Sequence, residues 1–425
     1  MTKADIINYI EQNKEEAIAL LQHLVRINSA VIEHGIDGKE LQAQLFLRDR
    51  LEKMGATTEL MEPDYERMKD SPECPSGHNY KGRPNLEAIF KGVGGGRSLL
   101  LTGHVDTMDP GDINKWKHDP WSAHIEDGNL YGLGSADMKA GLCAQLFALE
   151  AVLKHGKLKG DCVYLSVVDE EGGGNGTLDY TRRADKPKCD GAIIAEPTNG
   201  EIHIASRGVM LLHIDVVGQT GHPLYKWELH NAVEKALIIK KALDDLEHRW
   251  LATKCHPVMP SPGITLCMIS AGTSGTAIPD RCRMSFQVDM LPVEKYWNGE
   301  PREINGLMIR AEVQEAINWA CASDPWLSEH PPILDWYQHV DPHSTDPTFE
   351  LIHVLAENSG APIGASFAGN DARHLANAGV PSILYGPGYT ADIHKPNEKV
   401  SISDYIECIK NYASTLVDWC GVEFF

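Results

Sequence analysis

Apolar positions along the chain fall into two spacings, one helical and one of short continuous runs. Ile6, Ile10, Ala17, Leu20, Leu21, Leu24 and Val25 recur near a 3.6-residue period, which predicts one amphipathic helix over Ala4–Ile27. A second helix is expected over Leu41–Met54, closed by Gly55, and a third over Met138–Leu153, with Met138, Leu142, Leu146, Leu149 and Leu153 on one side. Asn85–Phe90, Ser98–Thr102, Cys162–Val168 and Gly191–Ala195 read as strands, the last three as short buried runs. Met61–Lys81 is rich in Pro, Gly, Asp and Glu and reads as a long surface loop.

Three successive runs end in acids: Ser98–Thr102 leads to Gly103-His104-Val105-Asp106, Cys162–Val168 to Asp169-Glu170-Glu171, and Gly191–Ala195 to Glu196. In an open α/β sheet the carboxyl ends of strands border the ligand crevice, so these acids should converge there. After Gly208 the texture changes. Leu212–Val216 and Arg281–Met290 alternate as half-exposed antiparallel strands do, Gly263–Ile269 is a further strand, and Asn231–Leu246 and Glu312–Ala322 are helices. The expected fold class is α/β, a mixed central sheet flanked by helices. Residues 209–340 would form an inserted α+β domain between residues 1–208 and 341–425, whose last part carries a strand at Ser382–Leu384 and a closing helix over Ser401–Cys420.

A chain of 425 residues exceeds the size at which one core stops growing, which agrees with two domains. The net charge of −21 argues against nucleic acid and anionic membrane as partners. The first twenty residues mix Glu and Lys with apolar positions, which fits neither a signal peptide nor a membrane span and predicts a cytoplasmic chain. Ten cysteines without a CxxC pair read as reduced, mostly buried small hydrophobes.

His104 and Asp106, two apart at the end of a core strand, can point the same way, so that the imidazole ligates a metal while the carboxylate orients it. Gly132–Lys139 places Asp137 where a Gly-rich loop feeds a helix, and the Pro/Gly-framed loop around His394 adds a second imidazole. Burying several carboxylates without a cation costs several kcal/mol each. A pair of divalent ions sharing a carboxylate resolves this, and mixed His/carboxylate donors suit zinc, with cobalt or manganese as alternatives.

Gly-His-Val-Asp at 103–106, Gly-x-Ala-Asp-Met-Lys at 134–139, Glu-Glu at 170–171, Glu-Pro at 196–197, Arg-Gly at 207–208, Gly-Asn-Asp-Ala-Arg at 369–373 and His394 follow one another in a familiar order. Over nearly its whole length the chain resembles the co-catalytic zinc hydrolases that include acetylornithine deacetylase, succinyl-diaminopimelate desuccinylase, aminoacylase and glutamate carboxypeptidase. The resemblance implies a zinc-exopeptidase-like fold in which His104 and Glu196 hold one metal, Glu171 and His394 the other, and Asp137 bridges. It implies that Asp106 orients His104 and that Glu170 is the general base, taking a proton from water and returning it to the leaving amine. The inserted domain would be a lid through which two copies pair. Gly221-His222-Pro223-Leu224-Tyr225 resembles the lid motif whose histidine steadies the oxyanion in the partner's site. Arg207, Tyr225, Thr276, Asp289 and Asn370 would face the substrate.

One departure bears on that substrate. Counting from Pro279, Thr276 and Asp289 stand where many relatives carry the Asn and Arg that hold the substrate's carboxylate. Replacing Arg by Asp turns an attraction of roughly 1.5–3 kcal/mol into repulsion. The expected substrate therefore is a small N-acylated amine without the usual α-carboxylate, such as the formylaminopyrimidine of thiamin-salvage relatives, unless Arg281 or Arg283 substitutes. The alternatives are a di-/aminotripeptidase or carboxypeptidase of the same family, or a catalytically silent ligand-binding protein on this fold. The zinc-deaminase pattern and the Gly-x-Ser-x-Gly elbow are both absent.

Overall fold

The computed structural model describes residues 1–295, 301–303 and 305–425. They divide into two units, Met1–Ala205 with Ser344–Ser366 and Asn370–Phe425, and Ser206–His343 with Phe367–Gly369.

The first unit is built on a nine-stranded mixed sheet. Its centre is parallel: Leu99–His104 lies between Ala192–Ile194 and Cys162–Val167, and Ser382–Leu384 extends the parallel set beyond Ala192–Ile194. Antiparallel strands flank it, Ile202–Ser206 on one side and Asn85–Phe90 with Thr57–Met61 on the other. The three central runs are short, β-branched or leucine-rich and buried at every position, as strands covered by helices on both faces must be. Helix Ala140–His155 is buried almost all round and packs in one core with the closing helix Ile402–Cys420. It lies so close to the sheet that a Cβ on Gly141 would meet the carbonyl oxygen of Ala195 at 2.0 Å, so glycine is required there.

Two expectations need correction. Ala4–Ile27 is two helices, Lys3–Gln12 and Lys14–Arg26, because Asn13 leaves helical geometry and its amide donates to the Tyr9 carbonyl at 2.7 Å. Met61–Lys81 is not a loose surface loop. It contains the helix Tyr65–Met68 capped by Asp64, buries Met68 and Tyr80, and is pinned by Arg67 on Asp179 (2.7 Å) and Glu73 on Arg373 (2.8 Å). Polar composition suggested solvent, whereas these polar groups pair with one another.

The second unit is a four-stranded antiparallel sheet in the order Gly263–Ala271, Arg281–Met290, Gly208–Val217, Ile333–Val340. Met210, Leu212, Ile214 and Val216 alternate inward and pack with Met284, Phe286 and Val288 against helices Ala232–Thr253 and Gly306–Ala322.

Candidate metal centre

The site collects at the carboxyl ends of the parallel strands of the first unit. His104 is the last residue of the central strand and 1% exposed. Its Nδ1 lies 2.9 Å from the Asp106 carbonyl oxygen and 3.7 Å from the Asp106 carboxylate. With Nδ1–H donating to that carbonyl, the Nε2 lone pair is left to face the cluster. Nε2 is 3.0 Å from Asp137 Oδ1, 3.8 Å from Glu196 and 4.0 Å from Glu170. Asp106 contributes twice, since its Oδ2 also accepts from the Glu171 amide at 3.1 Å.

Asp137 sits in a turn opened by Gly134, whose φ of +74° suits glycine, and joined to Met138 by a cis peptide. The Glu398 carboxylate accepts from the backbone amides of Gly134, Ala136 and Asp137 at 2.9, 2.9 and 3.0 Å and so fixes the turn from below. Asp137 Oδ2 is 3.2 Å from His394 Nε2, which also lies 3.1 Å from Glu171.

Glu170 and Glu171 would point to opposite faces if the strand continued. Asp169 instead turns left-handed (φ +65°), and amides of Gly173 and Gly174 bond back to Glu170 and Asp169 at 2.9 and 2.8 Å. Both glutamates then reach the cluster, with Glu170 on the His104–Glu196 side and Glu171 on the Asp137–His394 side. The Asp169 carboxylate is buried and accepts from the Tyr80 hydroxyl at 2.7 Å, with His78 Nδ1 at 2.9 Å. Arg373 donates to Gly173's carbonyl at 2.8 Å from the far side of this turn.

Two groups of potential ligand atoms lie within 4.8 Å of one another: His104, Asp137, Glu171, and His104, Glu170, Glu196. Burial pushes Glu170 and Glu196 well above the usual carboxylate range, and Glu171 is raised by burial and by Asp137. Burial acts on Asp137 in the same sense but is outweighed by His104 and His394, which hold it low. His394, bonded to Asp137 and Glu171, is raised to about 11. The carboxylates draw both histidines toward their charged form. Divalent cations would compensate the carboxylates with the histidines neutral, and this donor set, mixed imidazole and carboxylate in two adjoining groups, fits a pair of them. A cavity of ≈ 270 Å³ lies beside Asp137, Glu171 and His394, walled by Asp109, Asp112 and Trp116.

The other expected site residues are placed as follows. Asn370 is buried, and its side chain accepts from the Ala372 amide at 3.1 Å, starting the helix Ala372–Asn377. On the second unit, Arg207 donates to the Ser261 carbonyl, and Thr276 is exposed beside Ser274. Asp289 lies on the polar face and accepts from Gln287 at 2.9 Å. Arg283 is engaged by Asp215 at 2.6 Å, and Arg281 is exposed, its charge also acting on Asp215. His222 is exposed at the start of the turn Pro223–Glu228, its Nδ1 accepting from the Leu224 amide at 3.2 Å, and Tyr225 is 55% exposed. Glu398, Asp169 and Arg373 had no assigned role in the sequence reading. The signals that could have raised them are an acid four residues after His394, an acid directly before Glu-Glu, and the arginine of the 369–373 motif.

A mixed α/β sheet whose strand ends gather carboxylates and histidines in two adjoining groups is the kind of site a metal-dependent hydrolase uses. Residues 100–418 match the family described as Peptidase family M20/M25/M40, and the chain belongs to it. It is thus a metal-dependent amide hydrolase. It is 29% identical to the N-formyl-4-amino-5-aminomethyl-2-methylpyrimidine deformylase of Halalkalibacterium halodurans, over 98% of this chain and 97% of that protein. The protein of the same description from Bacillus subtilis is 30% identical over 80% of this chain and 84% of its own. In structure the chain resembles an M20 family metallo-carboxypeptidase from Sulfolobus solfataricus, with TM-score 0.70 at 18% identity over 94% and 98% of the two chains. Among the described residues no helix is long and apolar enough to cross a membrane.

Proposed function

We propose that the enzyme removes the formyl group from an N-formyl aminomethylpyrimidine, or from a closely similar N-acyl amine without an α-carboxylate. The observation that carries this reading is Asp289, an acid on the polar face of Arg281–Met290, at the position where the family resemblance implies an Arg for substrates with a carboxylate. The end-to-end likeness to the Halalkalibacterium halodurans deformylase supports it.

His104 and Glu196 would hold one ion, Glu171 and His394 the other, and Asp137 would bridge, with zinc favoured by the donors. When bound, the ions supply Lewis acidity to the amide carbonyl and lower the pKa of water. Glu170 would take a proton from the attacking water and return it to the departing amine, a role suited to a carboxylate lying 4.0 Å from His104 beside the ligand cluster. Asp106 keeps His104 in the tautomer that offers Nε2. His222 of the partner subunit would hydrogen-bond the developing oxyanion, which makes the functional enzyme a homodimer paired through the second unit. A cytoplasmic location fits the reduced cysteines.

Hydrolysis of a carboxylate-free N-formyl amine and of acetylornithine by the zinc-loaded enzyme should differ by at least tenfold in kcat/KM in favour of the former. Efficient turnover of acetylornithine or of free di- and tripeptides in preference would overturn the assignment.

A further inference from the structure

Away from the carboxylate cluster, the described residues contain one more group with metal-ligand composition: His118, His124 and Glu126, whose donor atoms all lie within 4.8 Å of one another. His124 and Glu126 are two apart on the edge strand His124–Glu126, so their side chains leave the same face. His118 comes from the loop before it and stacks its ring on that of His124, with centroids 3.9 Å apart and planes at 28°. His118 Nε2 lies 3.5 Å from Glu126 Oε2. Ligands on a tetrahedral zinc ion are separated by roughly 3.4 Å, given bonds near 2.0–2.1 Å, so His118 and Glu126 already stand at a ligand spacing, and the His124 ring must turn out of its stack for its lone pair to reach the same ion. Lys117 holds the same Glu126 oxygen at 2.5 Å, but that lysine is 60% exposed and an exposed ion pair is easily exchanged for a metal bond.

We propose that His118, His124 and Glu126 form a peripheral zinc site, with the fourth position open to water. Its place in the fold gives it a consequence. Lys117 donates its amide to Asn397 Oδ1 at 2.6 Å, and Asn397 returns a bond to the Lys115 carbonyl at 3.3 Å. Lys115 and Trp116 line the cavity beside His394. An ion on His118 therefore ties down the segment that clamps the His394-bearing loop.

The test compares the zinc-loaded wild-type enzyme with His124→Ala and with Glu126→Gln, each dialysed against micromolar free zinc and assayed for metal by mass spectrometry. Both variants should hold one zinc ion per chain fewer than wild type. They should keep their turnover, since neither residue belongs to the catalytic cluster. Hydrogen exchange across residues 115–118 should slow on adding zinc to wild type and not to either variant. Equal zinc content in all three proteins, or zinc-induced protection that persists in both variants, would overturn the proposal.

Discussion

His104 and His222 are two histidines assigned to one reaction, and the molecule treats them in opposite ways. His104 is sealed at the end of the central strand, its Nδ1 held by a carbonyl and its Nε2 aimed at three carboxylates. His222 stands exposed in a short turn with a single local hydrogen bond, next to exposed Leu224, Tyr225 and Trp227. His104 and Asp137, two of the proposed ligands, are buried and held by neighbouring backbone, while His394, proposed for the other ion, is exposed. His222, Tyr225 and Thr276, proposed for the oxyanion and substrate, are exposed instead, although Asn370 of the same set is buried.

The comparison is broken most severely at its buried end. Asp137→Ala removes the carboxylate shared by both histidines, and metal content should fall by both ions with turnover lost. Metal analysis beside a turnover assay checks this, and a variant that retains both ions would remove Asp137 as the bridge. At the exposed end, His222→Ala should leave metal content untouched while lowering kcat by about 10²–10³-fold, the usual cost of one oxyanion donor. A smaller effect comes from Asp106→Asn. Loss of its charge behind His104, with the bond from the Glu171 amide kept by the asparagine oxygen, should weaken metal affinity by about 10–100-fold, read by competition with a chelator.

The smallest effect concerns stability. Burial, followed by the charge of Arg373, lowers the pKa of His374 to about 3. The unfolded chain takes up that proton first as pH falls, so His374 costs stability progressively below its ordinary value of about 6.5. Thermal unfolding of His374→Gln between pH 4 and 7 should show a shallower loss, by at most about 1.4 kcal/mol per pH unit. An unchanged pH dependence would place the sensitivity elsewhere.

The same contrast explains what could be read from the sequence. The strand runs and the acids that close them stood out because local pattern and chemistry coincide at residues 103–106, 169–171 and 195–196. In the second unit the two central strands were legible from alternation, whereas the edge strand Ile333–Val340 was not placed. Three further features were not legible. The break at Asn13 depends on one side chain competing for a helical carbonyl. The burial of Tyr80 and Glu73 depends on partners at Asp169 and Arg373 far along the chain. Glu398 acts on backbone amides more than 260 residues away in sequence, and no periodicity announces such a pairing.

Central to the account is a cation-binding cluster in which Glu170 moves the proton without being needed to hold the metal. The direct measurement is turnover of Glu170→Ala alongside its metal content. Turnover should fall by about 10²–10⁴-fold with the full complement of metal still bound. Unchanged turnover, or loss of activity only through loss of metal, would contradict it.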